Sequence, residues 1–390
     1  MPCNPEVMTG VPLSSLRNDE EMGDHGGQAY GVVSRKGRIS TADGDQRRVA
    51  VNRSRCALGP NTTLMERGEK LKEASMQPYR RAFLRALTAA GTVANISAPF
   101  PQAGAMDSMG SSAGPDGHIR DRLWIWGHVE GSHNNQYGLP GTSRMSPAEG
   151  AFYLNVPNLI MVAYAPPSEP CKMLPSPPYD PYLISFRPLR RVVWSIVGAG
   201  GVVSANDLKM IRQLAGKYPN IVGVQMDDFF RDTLDGGRIG VLTPKELGYV
   251  QGQLRLEERK LDLWVTLYRH DLQHDLSDWL GQVDVVTFWT WEAKDLENLE
   301  DSFAQAEKAA PRARKVLGCY MWDYGTHHPM PLALMQKQCQ MGLDWLKKGR
   351  IEGMIFLASC ICDLNLEAVE WTRNWIRQVG GEKLPDQAIR

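Results

Sequence analysis

The stretch LDLWVTLYRHDLQHDLSDWLGQVDVVTFWT, residues 261–290, reads as strand, helix, strand. Leu263, Val265 and Leu267 alternate with Trp264, Thr266 and Tyr268, the period of two that an extended chain with one aliphatic face requires. Residues 283–290 are filled by β-branched and aromatic side chains, which suit a pleated surface. A helix near 271–280 joins the two, and a strand–helix–strand of this length is a parallel βαβ unit. Working outward, the same pattern recurs at 220–226, 191–197, 158–164 and 122–128 on one side. On the other side it recurs at 315–321 and 352–358.

Helices are expected near 146–154, 205–217, 243–258, 295–309, 331–348 and 365–378. Only a vague helical stretch near 180–187 fills the proline-rich crossover between the second and third strands. Two of the helix starts carry their own chemistry: Ser146-Pro147-Ala148-Glu149 and Thr243-Pro244-Lys245-Glu246 are capping boxes. In each, the hydroxyl accepts from a backbone N–H, Pro sits at the first helical position and Glu reaches back. Eight strands in about 260 residues is the size of a (β/α)8 TIM barrel, an α/β fold built as a single domain over 118–380. A doubly wound open sheet is the alternative, but no glycine-rich dinucleotide turn follows any strand.

The residues before the barrel read differently. Residues 1–75 are polar, without a sustained period, and lack the apolar surface to offset ordering entropy; they are expected to be a disordered or mis-annotated extension. Arg80-Arg81-Ala82-Phe83-Leu84-Arg85 then precedes a weakly apolar stretch, Ala86 to Ala98, and Ala103-Gly104-Ala105. This series resembles a bacterial twin-arginine (Tat) signal over 76–105, with translation starting at Met76. The resemblance implies recognition by the Tat export machinery and a periplasmic or extracellular protein. An ordinary amphipathic helix behind a polar tail is the alternative.

Composition narrows the function classes. Basic and acidic side chains number 44 each, so the net charge is zero and nothing favours nucleic acid as a partner. No apolar run is long enough for stable membrane insertion. Seven scattered cysteines form neither a redox motif nor a zinc knuckle.

Barrel chemistry gathers at the C-terminal ends of the strands. On the first strand the aliphatic parity is Leu123, Ile125 and Val129, which turns Trp126, His128 and Glu130 inward together with Trp124. On the fourth, Val222, Val224 and Met226 face out, so Gln225 and Asp227 face in and Asp228 continues past the end. On the fifth, Trp264, Thr266, Tyr268 and His270 face in. The sixth ends Trp289-Thr290-Trp291-Glu292 and the seventh Trp322-Asp323-Tyr324. Aromatic faces stack on sugar C–H faces while carboxylates bond hydroxyls, so this rim suits a carbohydrate substrate. Six of the eleven tryptophans (Trp124, Trp194, Trp264, Trp345, Trp371 and Trp375) read as core or helix packing, and any tryptophan of the rim is open to the same reading.

On Gly223-Val224-Gln225-Met226-Asp227-Asp228-Phe229-Phe230, Trp291-Glu292 and Trp322-Asp323-Tyr324, the chain resembles the (β/α)8 glycoside hydrolases, without the Asn-Glu pair many carry after strand 4 and without the spaced acids of chitinases. The likeness is to enzymes with an Asp after strand 4 and a second carboxyl after strand 6. It implies Asp227 as nucleophile or base, Glu292 as general acid with a raised pKa, Asp228 as a tuning or hydroxyl-binding group, and Asp323 as the alternative acid. Trp126, His128, Glu130, Tyr268, His270, Trp289, Trp291, Trp322 and Tyr324 would bind substrate, and no cofactor is called for. Asp228 could instead cap the following helix. Two other functions stay open. One is a metal-dependent sugar isomerase or hydrolase whose divalent ion would be held by His128, Glu130, Asp227, His270 and Glu292. The other is a carbohydrate-binding barrel without catalysis.

Overall fold

A computed structural model describes residues 117–165, 174–203, 207–234 and 238–385. The polar extension and the signal-like segment lie outside the described residues. Eight parallel strands form the barrel: β1 Leu123–Gly127, β2 Asn158–Met161, β3 Arg191–Gly198, β4 Ile221–Met226, β5 Asp262–Tyr268, β6 Val285–Trp289, β7 Arg314–Tyr320 and β8 Gly353–Leu357. Each pairs with the next, and β8 returns to β1 with Leu123 opposite Met354 and Trp126 opposite Leu357. The sheet is therefore closed, and no strand edge is left to pair with another chain.

One helix follows each strand: α1 Pro147–Leu154, α2 Asp180–Ser185, α3 Asp207–Lys217, α4 Pro244–Gln253, α5 Ser277–Leu280, α6 Leu299–Ala309, α7 Leu332–Lys347 and α8 Glu367–Val379. Both capping boxes form. The Glu149 carboxylate accepts the Ser146 N–H at 2.8 Å, and that of Glu246 accepts the Thr243 N–H at 2.8 Å. The vague stretch after β2 is a six-residue helix, α2. The helix expected at 271–280 is split into a 3-10 turn, Arg269–Gln273, and the single turn α5, because Asp271 accepts the Tyr268 N–H and holds the chain in the tighter turn. Two short antiparallel hairpins were not anticipated: Phe230–Leu234 with Arg238–Gly240 after β4, and Trp322–Asp323 with His328–Pro329 after β7. Both lie at the C-terminal end, where insertions leave the barrel intact.

The lumen is filled in layers by tryptophans facing glycines. Trp124 from β1 meets Trp264 from β5 with ring centres 5.1 Å apart. A Cβ at Gly223 would stand 2.9 Å from the Trp264 ring nitrogen, and one at Gly353 would stand 3.0 Å from that of Trp124. One layer up, Trp126 meets Trp289 at 5.1 Å, and a Cβ at Gly318 would fall 2.1 Å from the Trp289 ring. Large side chains on some strands thus require glycine on their neighbours. The N-terminal end is closed by Arg191, which lies over Trp124 and donates to Asn158 at 3.1 Å. Outside the lumen, Leu123, Ile125, Val224, Met226, Leu263, Val265 and Leu267 are all buried under the helices, as the strand alternation predicts. Among the described residues no helix is long and apolar enough to cross a membrane. Cys319, Cys339, Cys360 and Cys362 are free thiols, all buried.

Candidate active site

Above the Trp126–Trp289 layer, inward positions become polar. Gln225 on β4 donates to the Thr266 hydroxyl of β5 at 2.9 Å, and that hydroxyl donates to Asp227 at 3.2 Å. Asp227 follows β4 and Asp228 follows it in a left-handed conformation, φ 45°, uncommon for a side-chain-bearing residue although Asp tolerates it. The turn folds the second carboxylate back among donors. The Asp228 N–H donates to Asp227 Oδ1 at 3.0 Å. Asp228 Oδ2 accepts the Gly200 N–H at 2.6 Å, and its Oδ1 accepts the Tyr268 hydroxyl at 2.9 Å. Helix capping, the other role open to Asp228, is not what it does.

Two carboxyl groups, buried and adjacent, cannot both ionise at low cost. Burial first, and the neighbouring Asp228 charge second, push the Asp227 carboxyl up to about 6. Burial and the same two carboxylates raise the phenols of Tyr268 and Tyr320 well above their ordinary value. They remain hydroxyl donors throughout the pH range in which Asp227 titrates.

The opposite wall is built from the loop after β1. The His128 N–H donates to the Ser359 hydroxyl beyond β8 at 3.1 Å, which fixes the end of the strand. The chain then turns at Gly131 (φ 72°), and the loop is locked by paired bonds between Asn134 and Ser143, 2.8 and 3.1 Å, and by Gln136 donating to the Ser132 carbonyl at 2.8 Å. This places His133 beside His128, ring centres 4.9 Å apart, and against Tyr324, whose hydroxyl shares a hydrogen bond of 3.1 Å with His133 Nδ1. Burial lowers both imidazoles well below their ordinary value, so both are neutral. Ring contacts then run without a break around the rim: His133 to Tyr137 and Tyr324, Tyr324 to Tyr320 and Trp291, and Trp291 to Tyr268.

Several buried polar atoms of this layer make no hydrogen bond within the protein: both ring nitrogens of His128, His133 Nε2 and Gln225 Oε1. An unpaired buried donor or acceptor costs about 1–3 kcal/mol. Concentrating so many at one end of a barrel is a cost that a ligand's polar groups remove.

The residues expected at the site divide into three groups. Asp227, Asp228, His128, Tyr268, Trp291 and Tyr324 come together at the rim. Trp126 and Trp289 are buried floor rather than cleft, with the Trp289 N–H spent on Thr287 at 3.0 Å. Trp322 is buried too and donates to the Tyr137 carbonyl at 2.9 Å, holding one loop to another. The remaining residues lie past the strand ends. Glu130 is exposed, and His270 is exposed and stacked on the outer face of the site through Tyr268, ring centres 5.2 Å apart at 4°. Neither faces the lumen as strand alternation implied, because β1 has already ended at Gly127 and β5 at Tyr268. Glu292 is half-buried, lies over Gly325 and pairs with Lys294 at 2.5 Å. Asp323 is buried but accepts from the N–H groups of Gly325 and Thr326 and from the Thr326 hydroxyl at 2.7 Å, which ties up its own loop. The carboxyl that burial raises is that of Asp227, the residue the resemblance made nucleophile or base. His133, Tyr137 and Tyr320 were missed: two sit on a loop with no periodicity, and Tyr320 shares the inward parity of Gly318.

The five residues of the metal alternative are not brought together, and among the described residues no three His, Cys, Asp or Glu side chains are grouped to hold an ion.

No family model matches the chain, and no curated protein sequence matches it. Solved structures with a similar barrel include catalytic-site mutants of active domain 2 of a chitinase from Pyrococcus furiosus, at 14% identity over 71% of this chain and 95% of that one, TM-score 0.42. A putative alpha-L-fucosidase from Bacteroides thetaiotaomicron aligns at 10% identity over 68% and 96%, TM-score 0.41. A tryptophan synthase alpha-subunit from Pyrococcus furiosus aligns at 11% over 68% and 100%, TM-score 0.35. Likeness at this level is one of barrel architecture, shared by enzymes of unrelated chemistry, and assigns no residue a role.

Proposed function

We propose that the chain is a glycoside hydrolase acting at the C-terminal end of the barrel. The observation that carries the reading is the buried Asp227–Asp228 pair inside an aromatic rim, with the Asp227 carboxyl raised to about 6. A carboxyl that keeps its proton near neutrality is suited to give it to a leaving glycosidic oxygen. In this reading Asp227 is that donor, and Asp228, held by Tyr268 and Gly200, fixes and tunes it. Glu292, past the end of β6 and paired with Lys294, supplies the negative charge that an oxocarbenium-like transition state requires. Trp291 and Tyr324 offer ring faces to the sugar. Water completes the reaction, its hydroxyl going to the anomeric carbon and its proton restoring Asp227.

Turnover of a panel of aryl glycosides and oligosaccharides by wild type and Asp227→Asn tests this. Loss of a proton donor is expected to cost about 10²–10⁴-fold. The wild-type kcat/KM is expected to fall as pH rises through about 6, because Asp227 must be protonated. Azide is expected to rescue Glu292→Ala and not Asp227→Asn. Activity abolished by EDTA and restored by a divalent ion, or an Asp227→Asn enzyme as active as wild type, would overturn the assignment. Binding without turnover of any substrate would leave a carbohydrate-binding barrel. Export through the twin-arginine route is part of the same proposal: Arg80→Lys with Arg81→Lys is expected to retain the protein in the cytoplasm on cell fractionation.

A further inference from the structure

The segment His128 to His133 concentrates unpaired polarity more than any other described stretch. Both nitrogens of His128 and His133 Nε2 are buried without a hydrogen-bond partner, and the two side chains are at most 1% exposed. Buried polar atoms in native proteins are nearly all bonded, so three within six residues need an external partner. The loop that carries them is locked through Asn134, Ser143 and Gln136, so these atoms are held in place rather than left to chance.

The chemistry of that partner follows from what the wall offers. A neutral imidazole presents one donor and one acceptor. Sugar hydroxyls match that pattern, each giving one proton and accepting another. A carboxylate accepts only and would need a cation. The charge facing this end of the barrel from β4 is instead that of Asp228, which raises its neighbour Asp227 and repels an anion. Of the cations near the rim in sequence, Lys294 is spent on Glu292 and Arg269 on Asp295 at 3.2 Å.

We infer that His128 and His133 form a subsite that binds the hydroxyls of an uncharged sugar ring and rejects uronic acids. The sugar ring belongs to the glycosidase reading above, and the subsite lies on the wall opposite its carboxyls. His133 Nδ1 is engaged with Tyr324, so Nε2 faces the sugar, while His128 is available at both nitrogens.

The test separates this subsite from catalysis. Full-length Asp227→Asn protein, labelled with 15N-histidine, is titrated with cellotriose, xylotriose, chitotriose and trigalacturonate while ring-nitrogen shifts and calorimetric affinity are recorded. At least one neutral trisaccharide is expected to bind and to move the His128 and His133 ring signals, with trigalacturonate at least about tenfold weaker. Adding His128→Ala or His133→Ala is expected to weaken the neutral sugar about tenfold or more, the worth of one lost hydrogen bond of about 1.4 kcal/mol. His133→Gln, which keeps a donor, is expected to recover part of it. Binding that leaves both ring signals unmoved, trigalacturonate binding as tightly as the neutral sugars, or no binding of any of the four would each overturn the subsite. Histidine-dependent binding with no turnover by wild type would sustain it and remove the hydrolase reading. Turnover with a KM unchanged by His128→Ala would do the reverse.

Discussion

The sharpest consequence of the buried carboxyl pair is for stability rather than activity. The folded protein holds the Asp227 proton up to about pH 6, while an unfolded chain releases an Asp proton near 3.9. A folded pKa raised above the unfolded one favours the folded state fully below the unfolded value, and that advantage is lost as pH rises through the folded value. Two pH units at 1.36 kcal/mol each make the loss about 3 kcal/mol between pH 4 and pH 7, shared across the coupled pair. Asp227→Asn is neutral at every pH, and its amide oxygen still accepts from the Asp228 N–H and the Thr266 hydroxyl. The two proteins are therefore expected to unfold at similar urea concentrations at pH 4, followed by tryptophan fluorescence. By pH 7.5 the variant should lead by about 3 kcal/mol, or about 6–12 °C in Tm for a barrel of this size. The pH dependence of the difference therefore reads Asp227 together with the groups coupled to its charge. A difference that stays constant from pH 4 to 7.5, or a wild type that gains on the variant, would refute the reasoning.

Gly318→Ala would drive a methyl to 2.1–2.4 Å from the Trp289 ring, which is wedged against Trp126, and should cost more than about 3 kcal/mol, read as lost soluble yield or lowered Tm. By contrast, Gly216→Ala on exposed α3 meets nothing within 4 Å and should raise stability by about 0.5–1 kcal/mol in urea unfolding. Thr243→Ala removes the hydroxyl that accepts the Glu246 N–H at the start of α4, and about 1 kcal/mol should go with it in the same assay. Tyr268→Phe leaves Asp228 Oδ1 without its hydroxyl partner; kcat/KM should fall about tenfold or more while the fold persists, as circular dichroism would show.

The barrel was legible because short β-rich runs recur eight times, and all but the crossover after the second strand carry a clear helix signal beside them. Ser146 and Thr243 mark helix starts by local chemistry that needs no tertiary context, and both caps form as read. Alternation along the strand placed Asp227, His128, Thr266 and Tyr268 inward. It failed two residues further on, at Glu130 after His128 and at His270 after Tyr268, because the pleat ends where the sheet ends. Asp323 shows the complementary limit: its position was identified, but a carboxylate can be consumed by its own loop, and that depends on Gly325 and Thr326 folding back. His133 was missed because its place beside His128 is set by Asn134–Ser143 pairing across nine residues, which no period reveals.

The tryptophans link the two halves of the problem. Residue type alone gives Trp289 equally to a cleft or a core, and what decides is the inward glycine on the neighbouring strand. Gly318 leaves room that Trp289 fills, as Gly223 does for Trp264 and Gly353 for Trp124. Those rings close the lumen from below, and the layer above them, Asp227 with His128, is itself fully buried. Desolvation is the first cause of the raised Asp227 carboxyl, and it lowers both imidazoles on the opposite wall. One packing solution thus gives the barrel its core and its polar layer a proton held near neutrality facing two uncharged histidines. That combination suits acid catalysis on a neutral polyol, and it follows from where glycine sits opposite tryptophan as much as from the acids themselves.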